Sequence, residues 1–206
     1  GRAVLEAGLR LKRDGYNPTL IVAHPGWGEA LFLRDIWPKA KIITYGEYYY
    51  CAEGGDIGFD PMFPVSPEGL ARTRMMNTHL LLAHAQADAI LSPTAWQKSR
   101  HPEFLHSRIE TIFDGIDTSR VTPDPSATFT LPNGRQLSRA DEVVTYVARN
   151  LEPHRGFHVF MRALPALLAA RPNAQVVIVG GADVSYSPLP PKPHASWKDL
   201  LLAEID

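Results

Sequence analysis

Short apolar runs rich in β-branched residues recur along this chain, and stretches with helical spacing lie between them. Residues 19–23 (TLIVA), 41–45 (KIITY), 89–92 (AILS), 108–113 (RIETIF), 143–148 (VVTYVA) and 174–179 (AQVVIV) read as strands, the continuous apolar ones as buried strands. Residues 3–13, 30–36, 67–87, 94–99, 157–170 and the segment from 197 read as helices. Strands that alternate with helices make βαβ units, so an α/β fold with parallel sheets is predicted. Residues 46–66 carry Gly, Pro and aromatics without periodicity and read as a long ordered loop, a common place for function. Residues 118–138 are rich in Pro, Asp, Ser and Thr, with Asn133-Gly134 as a turn signal. The expected organisation is therefore a domain over 1–122, a linker with a hairpin-like excursion over 123–140, and a second domain over 141–206.

Several function classes are excluded by bulk properties. The 206 residues hold 21 Lys+Arg against 22 Asp+Glu, a net charge of -1, so no global basic field gathers nucleic acid. The single cysteine, Cys51, has no internal disulfide partner and points to a reducing, cytoplasmic compartment. Residues 1–15 read as an amphipathic helix rather than a signal peptide. The most apolar run, 80–85, is far too short to span a bilayer, so any membrane contact is expected to be peripheral, at the inner face.

In parallel sheets, ligands sit beyond the carboxyl ends of the strands, which selects the loops that follow the runs above. After 143–148 comes Arg149-Asn150-Leu151-Glu152-Pro153-His154-Arg155-Gly156. Arg149 and Arg155 offer forked donors for phosphate, the second beside a helix N-terminus, and Gly156 lets backbone come close to a ligand. Two exposed arginines on a surface loop are the plainer alternative. Gly180-Gly181 is expected to end the last strand as a turn beside a nucleotide, or simply as a turn. Glu47, among Tyr45, Tyr48, Tyr49 and Tyr50, could orient sugar hydroxyls, or be a solvated Glu on a structural loop, and His24, in His24-Pro25-Gly26-Trp27, could orient substrate or transfer protons, or be a structural His. Met75-Met76 reads as core filler. The histidine spacings and the Asp56/Asp60 segment fit no metal motif, so no metal and no cofactor is expected. No nucleophile has an evident base.

The order of these segments resembles the family-4 (group 1) retaining glycosyltransferases. Residues 147–181 (VARNLEPHRGFHVFMRALPALLAARPNAQVVIVGG) are similar to that family's "GRL-x-KG", helix, "P-x-x-x-L-x-IVG" signature. Residues 87–117 (ADAILSPTAWQKSRHPEFLHSRIETIFDGID) are similar to the end of its first domain. The resemblance implies a GT-B fold of two Rossmann-like domains, the second incomplete here. It implies transfer of a sugar from a nucleotide-sugar to a sugar or polysaccharide acceptor, with retention. In it Arg149 and Arg155 hold the donor diphosphate, Arg155 replacing the usual lysine. Gly180 and Gly181 lie near the nucleotide, and Ser92 and Asp114 on the acceptor side with His24 and Trp27. Glu47 stands where relatives carry a histidine facing the reacting sugar, which implies acceptor orientation rather than proton transfer. The family's opening strand and glycine-rich loop, and its E-x7-E pair, have no counterpart in this sequence. The expectation is thus a piece truncated at both ends, inactive by itself, with exposed apolar sheet faces that favour self-association. A non-catalytic nucleotide- or sugar-binding module and a nucleotide-sugar epimerase of the same architecture are the competing readings.

If Arg155 stabilises the departing diphosphate, Arg155→Ala in the intact enzyme should cost about 2.7–4 kcal/mol of transition-state stabilisation, the range for one lost charge-stabilising donor. Steady-state turnover measures this, and near-normal rates would refute the assignment.

Overall fold

The computed structural model describes residues 1–205. The chain divides into two compact units, Gly1–Ile116 and a second that begins at Asp117. In the first, the chain runs α1 (Arg2–Arg13), β1 (Leu20–Ala23), α2 (Leu33–Ile36), β2 (Lys41–Tyr45), α3 (Pro67–Gln86), β3 (Ala89–Ser92), α4 (Ala95–Arg100) and β4 (Ile109–Thr111). The four strands form one sheet in the order β1-β2-β3-β4. All pairings are parallel, with Leu20 opposite Lys41, Ile43 opposite Ala89 and Ile90 opposite Ile109. Every strand therefore ends on the same edge, which brings the loops after Ala23, Tyr45, Ser92 and Thr111 together.

Burial fixes this arrangement. Leu33, Ile36, Trp37 and Ile42 form a core against which Leu5, Ile21 and Ala23 pack. The start of α3 is set by Ser66, whose hydroxyl accepts from the Gly69 N–H at 3.1 Å, with Pro67 in the first turn. The α3–β3 connection is tied to β2 by Asp88. Its carboxylate accepts from the Ile42 N–H at 2.8 Å, Arg34 at 2.6 Å and Lys41 at 3.2 Å. The Ile42 amide, followed by Arg34 and Lys41, holds that carboxyl well below the usual range.

Two expectations need correction here. The TLIVA run is not buried on both faces: Leu20 and Val22 are exposed, because only the Ile21/Ala23 face of β1 meets the core. Met75 is not core filler either; it is 69% exposed on the outer face of α3.

The second unit opens with an antiparallel hairpin of β5 (Phe129–Thr130) and β6 (Gln136–Leu137), turned through Gly134 at φ +84°. It continues with β7 (Val143–Asn150), α5 (Phe157–Ala170), β8 (Gln175–Gly181) and α6 (Trp197–Ile205). β7 and β8 pair in parallel from Val143/Gln175, with a register shift between Val147 and Asn150. Phe157 and Met161 of α5 and Trp197 and Leu201 of α6 are buried, and the two helices pack on each other. The β7 pattern alternates strictly, so Tyr146 meets Phe157 and Phe160 while Val143 and Val147 are exposed. Here too the VVTYVA run is half-buried rather than buried, since α5 covers one face only. Among the described residues, no helix is long and apolar enough to cross a membrane.

His84 is fully buried in α3, with Nδ1 2.9 Å from the Thr44 hydroxyl and its ring 5.3 Å from that of His101. Burial, with the charge interactions of His101, Arg108 and His24 adding to it, pulls its pKa down to about 3. An unfolded histidine takes up its proton near 6.5, so between that value and 3 the unfolded chain binds more protons. Stability of the first unit should accordingly fall as pH drops from about 6.5 toward 4, by up to ~1.4 kcal/mol per pH unit for this group. Thermal melts across that range should show the slope, and His84→Leu should flatten it.

Candidate functional site

The carboxyl edge of the first sheet gathers His24, Tyr45, Glu47 and Asp114. His24 follows β1, and its Nδ1 accepts from the Gly26 N–H at 3.1 Å. A backbone N–H can only donate, so in the neutral ring the proton lies on Nε2, which donates to Glu47 Oε2 at 2.9 Å. Both side chains are partly exposed, so the pair adds little to stability; its effect is to fix two directions. The other Glu47 oxygen is bonded to none of the described residues, while the Glu47 carbonyl is held by Gln97 Nε2 at 2.8 Å. Tyr45 lies beneath, its ring 5.8 Å from that of His24, and its hydroxyl donates to Asp114. That hydrogen bond, then partial burial and the nearby Asp114 and Glu47 charges, push the phenol up to about 12, so it stays a donor. Trp27 is 81% exposed and its ring centroid lies 5.8 Å from that of His24.

Ser92 departs from the expected role. It is fully buried, and its hydroxyl donates to the Gly46 carbonyl at 3.0 Å, so it secures the backbone that carries Glu47 instead of facing a ligand.

The second unit holds the other candidates. Arg149 is exposed near the end of β7, on the same side of the strand as Val147 and Val143. Gly156 sits at φ +76°, a left-handed conformation that ends the 153–155 turn and starts α5. Arg155 is exposed just before it. Its guanidinium lies over the Tyr186 ring at 5.3 Å and its Nε is 3.9 Å from Glu152 Oε1. Its carbonyl accepts from the Tyr146 hydroxyl at 2.7 Å.

Gly180 and Gly181 do not form a turn. They are the last residues of β8, and Gly181 pairs with Asn150. A Cβ on Gly180 would lie 2.7 Å from Leu151 Cδ2 and 2.8 Å from the Ala148 carbonyl. One on Gly181 would lie 2.6 Å from Asn150 Oδ1. The glycines are needed there for close approach of two chain segments.

Glu152 and the 185–187 loop were not singled out from sequence. Glu152 is fully buried, and its Oε2 accepts from the backbone N–H groups of Ser185, Tyr186 and Ser187 at 2.8, 3.1 and 3.0 Å. Burial raises its pKa, but these three amides outweigh that and hold it below the usual carboxylate value. Asn150 Nδ2 donates to the Ser185 hydroxyl at 2.7 Å, and the Ser187 hydroxyl accepts from the His154 N–H at 3.0 Å. An acidic residue beside Pro153 is the sole sequence signal for this arrangement, and its partners are backbone groups more than 30 residues away.

Residues 1–121 match the Glycosyl transferase family 4 group, more than half of the chain. The chain belongs to that family. It is similar to the GDP-mannose-dependent alpha-(1-6)-phosphatidylinositol monomannoside mannosyltransferase of Mycolicibacterium smegmatis, 26% identical over 157 residues, covering 75% of this chain and 38% of that protein. The protein of the same description from Mycobacterium tuberculosis H37Rv is also 26% identical over 157 residues, covering 75% and 37%. The chain thus spans less than two-fifths of the length of these curated relatives. Among solved structures, the S. aureus MnaA-UDP co-structure aligns over 99% of this chain and 48% of that one, at a TM-score of 0.41 and 13% identity.

Gly26 has no room for a side chain, since a Cβ would lie 2.5 Å from His24 Cε1. Gly26→Ala should therefore turn the His24 ring off Glu47 without unfolding the unit. Imidazole 15N NMR should report the Nε2–H tautomer in the parent and its loss in the variant.

Proposed function

We propose that the protein transfers a sugar from a nucleotide-sugar donor to an acceptor hydroxyl, with retention at the anomeric carbon. The observation that carries the reading is the family-4 match over residues 1–121. It is supported by polar side chains at the carboxyl edge of one parallel sheet and a fixed arginine after a strand of the other. The proposed fold is GT-B, with the second unit taking the donor. Arg149 and Arg155 balance the charge that develops on the diphosphate oxygen as its bond to the sugar breaks. The acceptor oxygen bonds to the same carbon from the same face, and its proton passes to the departing diphosphate. Positioning and charge stabilisation supply the rate, and no metal is invoked. On the acceptor side, the exposed Trp27 ring offers an apolar face to a sugar, while Glu47 and His24 orient its hydroxyls. GDP-mannose is the first donor to try, as the mycobacterial relatives are described as dependent on it.

The test is to supply the full-length protein with GDP-mannose, UDP-glucose or UDP-N-acetylglucosamine, a panel of mannoside acceptors, and EDTA. The expected result is a glycosidic product of unchanged anomeric configuration, seen by NMR. Donor binding without any transfer would favour a binding module, an inverted product would remove retention, and loss of activity in EDTA would remove the metal-free mechanism.

A further inference from the structure

The carboxylate at 152 is the most enclosed charged group in the second unit, and the reaction proposed above does not use it. Its two oxygens have different surroundings. Oε2 collects three consecutive backbone amides, a nest of the kind that cradles anions. Oε1 is buried and has no hydrogen-bond donor among the described residues; the Arg155 guanidinium lies 3.9 Å away at Nε. A buried carboxylate oxygen left without a donor is costly unless a positive charge lies close by, and Arg155 supplies one. The same three amides fix the loop that carries Tyr186, the ring over which Arg155 lies. Glu152 therefore acts on Arg155 twice, through charge from one oxygen and through the loop built on the other. The outer Nη groups of Arg155 are bonded to none of the described residues and remain available to a ligand.

We propose that Glu152 is a positioning residue for Arg155: it builds the 185–187 loop and, with Tyr186, holds the guanidinium ready for the diphosphate of a nucleotide donor. This rests on the reading of Arg155 as a diphosphate-binding residue. Glu152→Gln separates the two actions, because the amide oxygen can still accept from the three backbone N–H groups. Its NH2 group, however, presents a dipole of the wrong sign to Arg155.

The experiment is a double-mutant cycle on the full-length protein, with GDP and UDP binding measured by calorimetry. In the parent, Glu152→Gln should weaken binding of the preferred nucleotide about tenfold, on the scale of one charge-assisted contact, with its thermal melt retained. In the Arg155→Ala background it should weaken binding no further. An equal loss in both backgrounds, or no loss in the parent, overturns the proposal while leaving Arg155 as a ligand-binding residue. Parent-like binding by Arg155→Ala alone overturns the diphosphate reading, and the positioning role falls with it. Should Glu152→Gln fail to fold, Tyr186→Leu takes its place, since that side chain is 63% exposed. It should give a smaller loss, about threefold, that again vanishes without Arg155, as a cation–π contact at a partly exposed site predicts. Parent-like binding by that variant overturns the proposal.

Discussion

Parallel pairing is the constraint from which the sites descend. When strands run the same way, each must be reached by a crossover, and all their carboxyl ends come to one edge. In the first unit this brings together two hydrogen-bonded pairs whose members are far apart in sequence, His24 with Glu47 and Tyr45 with Asp114, and sets the His24 and Tyr45 rings beside each other. None of these side chains needs burial to be oriented. The Gly26 amide sets the His24 ring, Gln97 holds the Glu47 backbone, and Ser92 anchors Gly46 from below. The polar tips stay wet while their supports are fixed.

The second unit reaches the same end by a different route. With two strands there is less sheet edge to organise loops, and the 185–187 segment follows β8 without helix or strand of its own. A buried carboxylate takes the place of the missing secondary structure by satisfying three consecutive N–H groups at once. Such a group is stabilising only while ionised, and the amides ensure that by outweighing the cost of burial. The order of the loop and the charge state of Glu152 are therefore one property.

Much of the fold was legible in the sequence because burial leaves a period. The strands at 41–45 and 89–92 and the helix at 157–170 have the bounds their apolar patterns indicate. Where reading and structure part, the cause is that one residue type serves two physical ends. Continuous β-branched runs suggested strands covered on both faces, yet Leu20, Val22 and Val147 look outward, since a run of valines has the same composition whether one face is covered or two. Glycines after a strand suggested a turn, whereas Gly180 and Gly181 prolong β8 and admit Leu151 and Asn150 against it. The candidate edge was legible as to which loops it used, because strand direction alone determines that. The pairings within it were not, because they are made between side chains brought together by the register of separate strands.

Glu152 shows where such reading stops and why. A carboxylate paired with an arginine on the same helical turn leaves a spacing in the sequence. A carboxylate paired with backbone amides leaves none, because every residue except proline carries the same donor. The segment Ser185-Tyr186-Ser187 is distinguished by its path rather than its side chains, and that path exists because a charge is buried at 152. The consequence for Arg155 follows from distance. At 3.9 Å the guanidinium feels the carboxylate without forming the short paired contact that would consume its donors. An arginine locked in a close bidentate ion pair would have to break it to meet a phosphate. One steered from beside and supported on an aromatic ring can keep both contacts while its outer edge binds.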